Sequence, residues 1–184
     1  MIRISLAAAE IAFAAIWVLC RAAVWIKRRG IDWKREAALL LMFINLAVVI
    51  RFVFFPMELV GGRVQSIAFD PERAFPFRIN LVPLKHLLEY NTKRELLLNV
   101  IGNAAMFVPS GIIFPILYRK LDSFPKVVGA GALTSLCIEL LQLPLYSRAS
   151  DIDDLILNTA GVAVGYGIYA LVRALFRKKE KSGE

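Results

Sequence analysis

This chain has one histidine, His86, and only two cysteines, Cys20 and Cys137, among 184 residues. So few soft ligands, with no CxxC spacing, argue against a zinc centre. Both cysteines fall inside apolar runs, which argues against a disulfide framework. His86, with no partner motif, reads as a surface or interfacial residue rather than a catalytic one. Charged residues make up 21% of the chain, and base exceeds acid by +8. No basic stripe with interleaved aromatics is present, so the charge does not describe a nucleic-acid binder. A glycine-rich nucleotide loop, an internal repeat and a low-complexity linker are all missing as well.

The chain is instead rich in apolar residues: 58% are hydrophobic and the mean hydropathy is +0.61. This is the composition of a membrane protein. Crossing the hydrocarbon core takes ~20 mainly apolar residues in a helix. Five windows qualify: Ile4–Ile26, Ala37–Pro56, Leu96–Tyr118, Val127–Tyr146 and Leu155–Phe176. The expected fold is an all-α membrane protein, a bundle of about five transmembrane helices with a long interfacial outer loop. The first window is too long for a signal-peptide core and is expected to be a retained anchor.

Orientation follows from basic residues in short flanking loops. Lys27, Arg28, Arg29, Lys34 and Arg35 lie between the first two windows, and Arg119, Lys120 and Lys126 between the third and fourth. Arg177, Lys178, Lys179 and Lys181 follow the fifth. The other side has Arg3, Arg148 and a long loop where Arg63, Arg73, Arg78, Lys85, Lys93 and Arg94 are diluted by Glu58, Asp70, Glu72, Glu89 and Glu95. The expected topology has the N-terminus outside and the C-terminus inside a bacterial cytoplasmic membrane.

Polar residues inside such windows are costly and mark sites. Glu139 and Gln142 sit three apart, and Asp151, Asp154 and Asn158 three and four apart, so each set shares a helix face. At 1.5 Å per residue, Asn99 and Asn103 lie ~5 and ~10 Å below the outer end of the third span, and Glu139 and Gln142 ~10 and ~6 Å below that of the fourth. The spacing predicts one shared outward-opening cavity with Arg148 as the cation beside it. Ser150 is expected to cap the fifth helix with Asp153 as its capping-box partner. Gly161 and Gly165 form a small-xxx-small step for close packing. Pro109 and Gly111 are expected to interrupt the third span, and Pro144 lies near the end of the fourth. Arg21 and Arg51 lie near helix ends where they can snorkel, and Glu10 and Arg51, at similar outer depth on adjacent antiparallel helices, are expected to form a stabilising pair. The loop Met57–Glu95 carries Phe69, Phe75, Phe77, Ile79, Leu81, Val82, Leu84, Leu87, Leu88 and Tyr90, too apolar for water. Part of it, with a short helix over Pro83–Tyr90, is expected in the headgroup layer covering the cluster.

The pattern ExxQ, then Arg, then DIDDLILNTxGxxxG resembles the C-terminal signature of the VanZ-like family of bacterial membrane proteins. Asn80-Leu81-Val82-Pro83 and the run NVIGNAAMFVPSG from Asn99 to Gly111 fit it too. The resemblance covers roughly residues 76–172. It divides one structural domain into three stretches. Residues 1–75 are an N-terminal two-helix region and the first part of the outer loop, 76–176 the VanZ-like membrane domain, and 177–184 a basic cytoplasmic tail. It implies reduced susceptibility to the lipoglycopeptide teicoplanin.

Three functions stay open. The first is a cell-envelope factor whose outer-leaflet site (Asn80, Asn99, Asn103, Glu139, Gln142, Arg148, Asp151, Asp154 and Asn158) binds a lipid-anchored amphiphile. Its partners would be membrane lipids with a lipid-linked cell-wall precursor or an acylated glycopeptide. The second is a membrane-embedded hydrolase or transferase acting on a lipid-linked phosphate. There Glu139, Asp151 and Asp154 are the catalytic and metal-ligand candidates, Mg²⁺ the implied cofactor and Arg148 the phosphate clamp. The third is a small lipid transporter.

Overall fold

A computed structural model describes residues 2–55, 59–69, 76–145 and 148–182, with the side chains of 86 and 180–182 excepted. The expectations placed on Pro56, Met57, Glu58, Asp70, Glu72, Arg73, Phe75 and Tyr146, and on the His86 and Lys181 side chains, lie outside these residues. Five helices among them are long and apolar enough to cross a membrane. The chain forms two compact units that alternate along the sequence: Met1–Leu81 with Ile138–Asp151, and Val82–Cys137 with Ile152–Glu184.

In the first unit, α1 (Leu6–Arg28) begins where the Ser5 hydroxyl accepts from the Ala8 N–H at 3.2 Å and ends at Arg29 in the left-handed region. Helix α2 (Trp33–Val49) begins at Asp32, whose carboxylate accepts from the Arg35 N–H, and widens into a π-helical turn over Ile50–Phe54. Phe13 stacks on Phe43 at 5.1 Å, with Trp17 tilted against the same ring. Arg21, expected to snorkel, instead forms an ion pair with Glu36, its Nε donating to Oε2 at 3.0 Å. Pairing wins because both groups lie on packed faces and are shielded by the two helices. Arg51 donates to the Phe55 carbonyl at 3.5 Å and lies 5.3 Å from the Phe52 ring centre.

The long loop that follows α2 is partly strand. β1 (Ile2–Ile4) pairs antiparallel with β4 (Ile67–Phe69), and β2 (Leu59–Val60) with β3 (Arg63–Val64). Gly61 and Gly62, both at positive φ, close that hairpin as a two-residue turn requires. β5 (Ile79–Asn80) pairs in parallel with β6 (Ser150–Asp151).

In the second unit, the expected interfacial helix reduces to α3, one turn over Lys85–Leu88. Leu84 and Leu88 there are apolar and exposed. Helix α4 (Lys93–Leu117) starts at Thr92, whose hydroxyl accepts from the Glu95 N–H. It runs unbroken through Pro109 and Pro115, so the expected interruption is absent. Helix α5 (Phe124–Gln142) starts in this unit, and α6 (Ile152–Ser182) completes it. Packing against neighbours keeps a prolyl helix continuous where the isolated segment would kink.

Glycine decides how α4 meets α6. A Cβ at Gly161 would stand 2.0 Å from the Ala104 carbonyl oxygen, one at Gly165 2.0 Å from that of Val108, and one at Gly111 2.1 Å from that of Val162. Paired positions rise together, so α4 and α6 run parallel with backbones in direct contact, as small-xxx-small steps allow. Gly131 of α5 faces the Val162 side chain in the same way. Gly167 has open space. We therefore expect Gly165→Ala to lower thermal stability in detergent by about 1–3 kcal/mol. Gly167→Ala, two residues along the same helix, is expected to be neutral or to stabilise by up to about 1 kcal/mol.

Candidate functional site

The first unit gathers five of the expected site residues. Asp151 is central: its N–H donates to Glu139 Oε2 at 2.8 Å, and its own carboxylate accepts from Asn80 Nδ2 at 3.0 Å. The β5–β6 pair creates this arrangement by setting Asn80 opposite Asp151, locked by the Ser150 N–H donating to the Arg78 carbonyl at 2.9 Å. Ser150 is thus a strand residue, and α6 begins two residues later. Glu139 is only 3% exposed and Asp151 only 8%.

One turn along α5, Gln142 Nε2 donates to the Val53 carbonyl at 2.9 Å. Arg148 Nε donates to the neighbouring Phe54 carbonyl at 3.2 Å. Both acceptors belong to the π-helical turn that ends α2, where carbonyls lose their in-helix donors and carry partial negative charge. Such turns occur often at functional positions. These carbonyls have no signature in sequence and were missed. Gln142 Oε1 is buried and has no donor among the described residues.

The second unit holds the rest. Asn103 Nδ2 donates to Asp154 Oδ1 at 2.6 Å, tying α4 to the mouth of α6, and Asn99 stands one turn earlier, half-buried. Asn158 Nδ2 donates to the buried Ser135 Oγ at 2.9 Å, and its Oδ1 is buried without a donor among the described residues. Ser135 was missed because a serine in an apolar helix commonly bonds back to its own backbone. Asp153, 3% exposed, accepts from the Leu84 N–H at 2.7 Å. That bond holds Leu84 at a positive φ of 67°, a costly conformation for a branched side chain just after the Asn80–Pro83 motif.

Chemically, these are carboxylates that accept from backbone and amide N–H groups in low-exposure surroundings, beside two amide oxygens without a donor among the described residues. Among the described residues, no three His, Cys, Asp or Glu side chains gather as a metal ion would require. Glu139→Leu removes the acceptor of the Asp151 N–H, and we expect it to cost about 1–3 kcal/mol of stability. Glu139→Gln retains an acceptor oxygen and is expected to stay close to wild type. Thermal unfolding of the purified chain in detergent checks both.

Comparison with known proteins gives the context. The family model of VanZ/LLP1 matches residues 39–173, reaching back into α2 beyond the stretch that carries the motifs. Over 81 residues the chain is 31% identical to Protein VanZ of Enterococcus faecium, a match covering 44% of this chain and 50% of that protein. The chain thus spans about half the length of this curated relative. No solved structure matches. With five helices of spanning length and a family match over most of its residues, the chain is a multi-pass membrane protein that belongs to the VanZ/LLP1 family.

Proposed function

We propose that the chain is a cell-envelope factor whose polar groups bind the headgroup of a lipid-anchored amphiphile in the outer leaflet. On this reading it lowers susceptibility to teicoplanin-type lipoglycopeptides. The observation that carries it is Gln142 Oε1 in the first unit, a buried oxygen without a donor among the described residues; Asn158 Oδ1 is another, in the second unit. A buried acceptor without a donor costs about 1–3 kcal/mol, and a ligand rich in hydroxyl and amide N–H groups removes that cost. Glycopeptide and cell-wall headgroups have this chemistry. The resemblance supplies the drug class, and an acyl chain supplies the residence in lipid.

The outer-leaflet assignment rests on the basic clusters at Lys27–Arg35, Arg119–Lys126 and Arg177–Lys181. Under this topology, a reporter fused after Glu184 is active only in the cytoplasm. Activity only on the outer side reverses the orientation and moves the site to the inner leaflet.

Expression in a susceptible Gram-positive host is expected to raise tolerance to teicoplanin more than to vancomycin, which lacks an acyl chain. Glu139→Gln is expected to abolish that difference at unchanged protein level, because it removes the charge and retains the shape. Asp153→Asn is expected to be mild, since the amide oxygen still accepts from Leu84. The measured quantity is the ratio of tolerances to the two drugs. Equal tolerance to both, or full activity of a well-expressed Glu139→Gln variant, refutes the reading.

A further inference from the structure

Near the far end of α6 the second unit contains a cleft unrelated to the residues above. It is open, about 510 Å³, and lined by Asp122, Tyr166, Tyr169, Arg173 and Arg177 with two alanines between them. Asp122 follows the short 3₁₀ turn Arg119–Leu121 that links α4 to α5. It accepts from Arg173 Nη1 and, at 3.4 Å, from the Tyr169 hydroxyl. Arg173 lies over the Tyr169 ring, 5.9 Å from its centre, and Tyr166 meets Phe124 edge-on at 5.9 Å. The floor is therefore fixed by an ion pair and an aromatic set.

Charge does not balance there. Arg173 and Arg177 are one turn apart on one face, where like charges repel. Asp122 engages only Nη1 of Arg173, and Nε and Nη2 have no further partner among the described residues. Two guanidinium groups against one carboxylate leave a single positive charge beside a planar donor fork, the geometry that suits a phosphate.

The surroundings select the phosphate's source. Phe124, against Tyr166 of the lining, and Leu171, Leu175 and Phe176 on the other sides of α6 are apolar and exposed, as on a helix set in lipid. Tyrosines followed by the run Arg177, Lys178, Lys179 mark the level where hydrocarbon meets headgroups. A cleft at that level opens among the phosphates of the lipid headgroups rather than into free solution.

We propose that this cleft is a binding site for one anionic phospholipid, its phosphate held by Arg173 and Arg177 and its chains in the surrounding hydrocarbon. The inference is independent of the function proposed above. The test is native mass spectrometry of the full-length protein released from detergent with phosphatidylglycerol or phosphatidylcholine. The wild type is expected to retain one phosphatidylglycerol per chain and little phosphatidylcholine. Arg177→Gln, which breaks no contact seen in the fold, is expected to weaken retention about tenfold, the loss of one charge-assisted hydrogen bond to the phosphate. Lys178→Gln, next to it but outside the lining, is expected to leave retention nearly unchanged. An equal loss in both variants would mean general attraction to the basic tail and overturns the site. So would equal retention of the two lipids, or displacement of the lipid by millimolar inorganic phosphate.

Discussion

Hydrocarbon supplies no hydrogen bonds, so each polar group inside a membrane protein must find its partner in the protein. Glu139 is the sharpest case. Its carboxyl group is almost fully buried and takes the backbone N–H of Asp151. For that N–H to point inward, the chain after α5 must return as a strand rather than continue directly into helix. A two-residue parallel pair is marginal by itself. Here β5 and β6 are held by side chains as well, through Asn80 and Asp151. The strand pair thus serves the carboxylate, and the π-helical turn of α2 gives the neighbouring Gln142 and Arg148 their acceptors.

The second unit meets the same constraint through close approach. Asn103 and Asp154 have short side chains, so their 2.6 Å bond needs α4 and α6 nearly in backbone contact. Gly111, Gly161 and Gly165 make that separation possible. Val162, packed against Gly131, sets α5 at the level where Ser135 meets Asn158. Along α6 the polar residues Asp154 and Asn158 are followed by the packing residues Gly161, Val162 and Gly165, which set the distance over which the polar ones can bond.

The sequence revealed whatever has a local signature. The five spans followed from apolar run length, with ends shifted by a few residues where capping by Asp32 and Thr92 extended the helices. Gly161 and Gly165 announced close packing by their spacing, and Glu139 stood out because an acid in an apolar run demands an explanation. Partnerships between distant residues were less legible. Arg21 gave no sign that Glu36, fifteen residues on, would meet it, and Asp122 gave none of Arg173. Pro109 suggested a break that tertiary packing around α4 overrides. The Val53 and Phe54 carbonyls could not be foreseen at all, since every residue has one and only the local winding decides which is free.

Glu139 accepts from the Asp151 N–H and, in the function we propose, is also the charged element of a ligand site. A direct separation is possible by measuring binding of a fluorescent acylated glycopeptide to the protein in lipid nanodiscs. Wild type and Glu139→Gln samples are compared at matched folded fraction. The account predicts saturable binding by the wild type and its loss in the variant, with the deacylated probe bound by neither. Equal binding of the acylated probe by the two proteins would contradict it and leave Glu139 a purely structural residue.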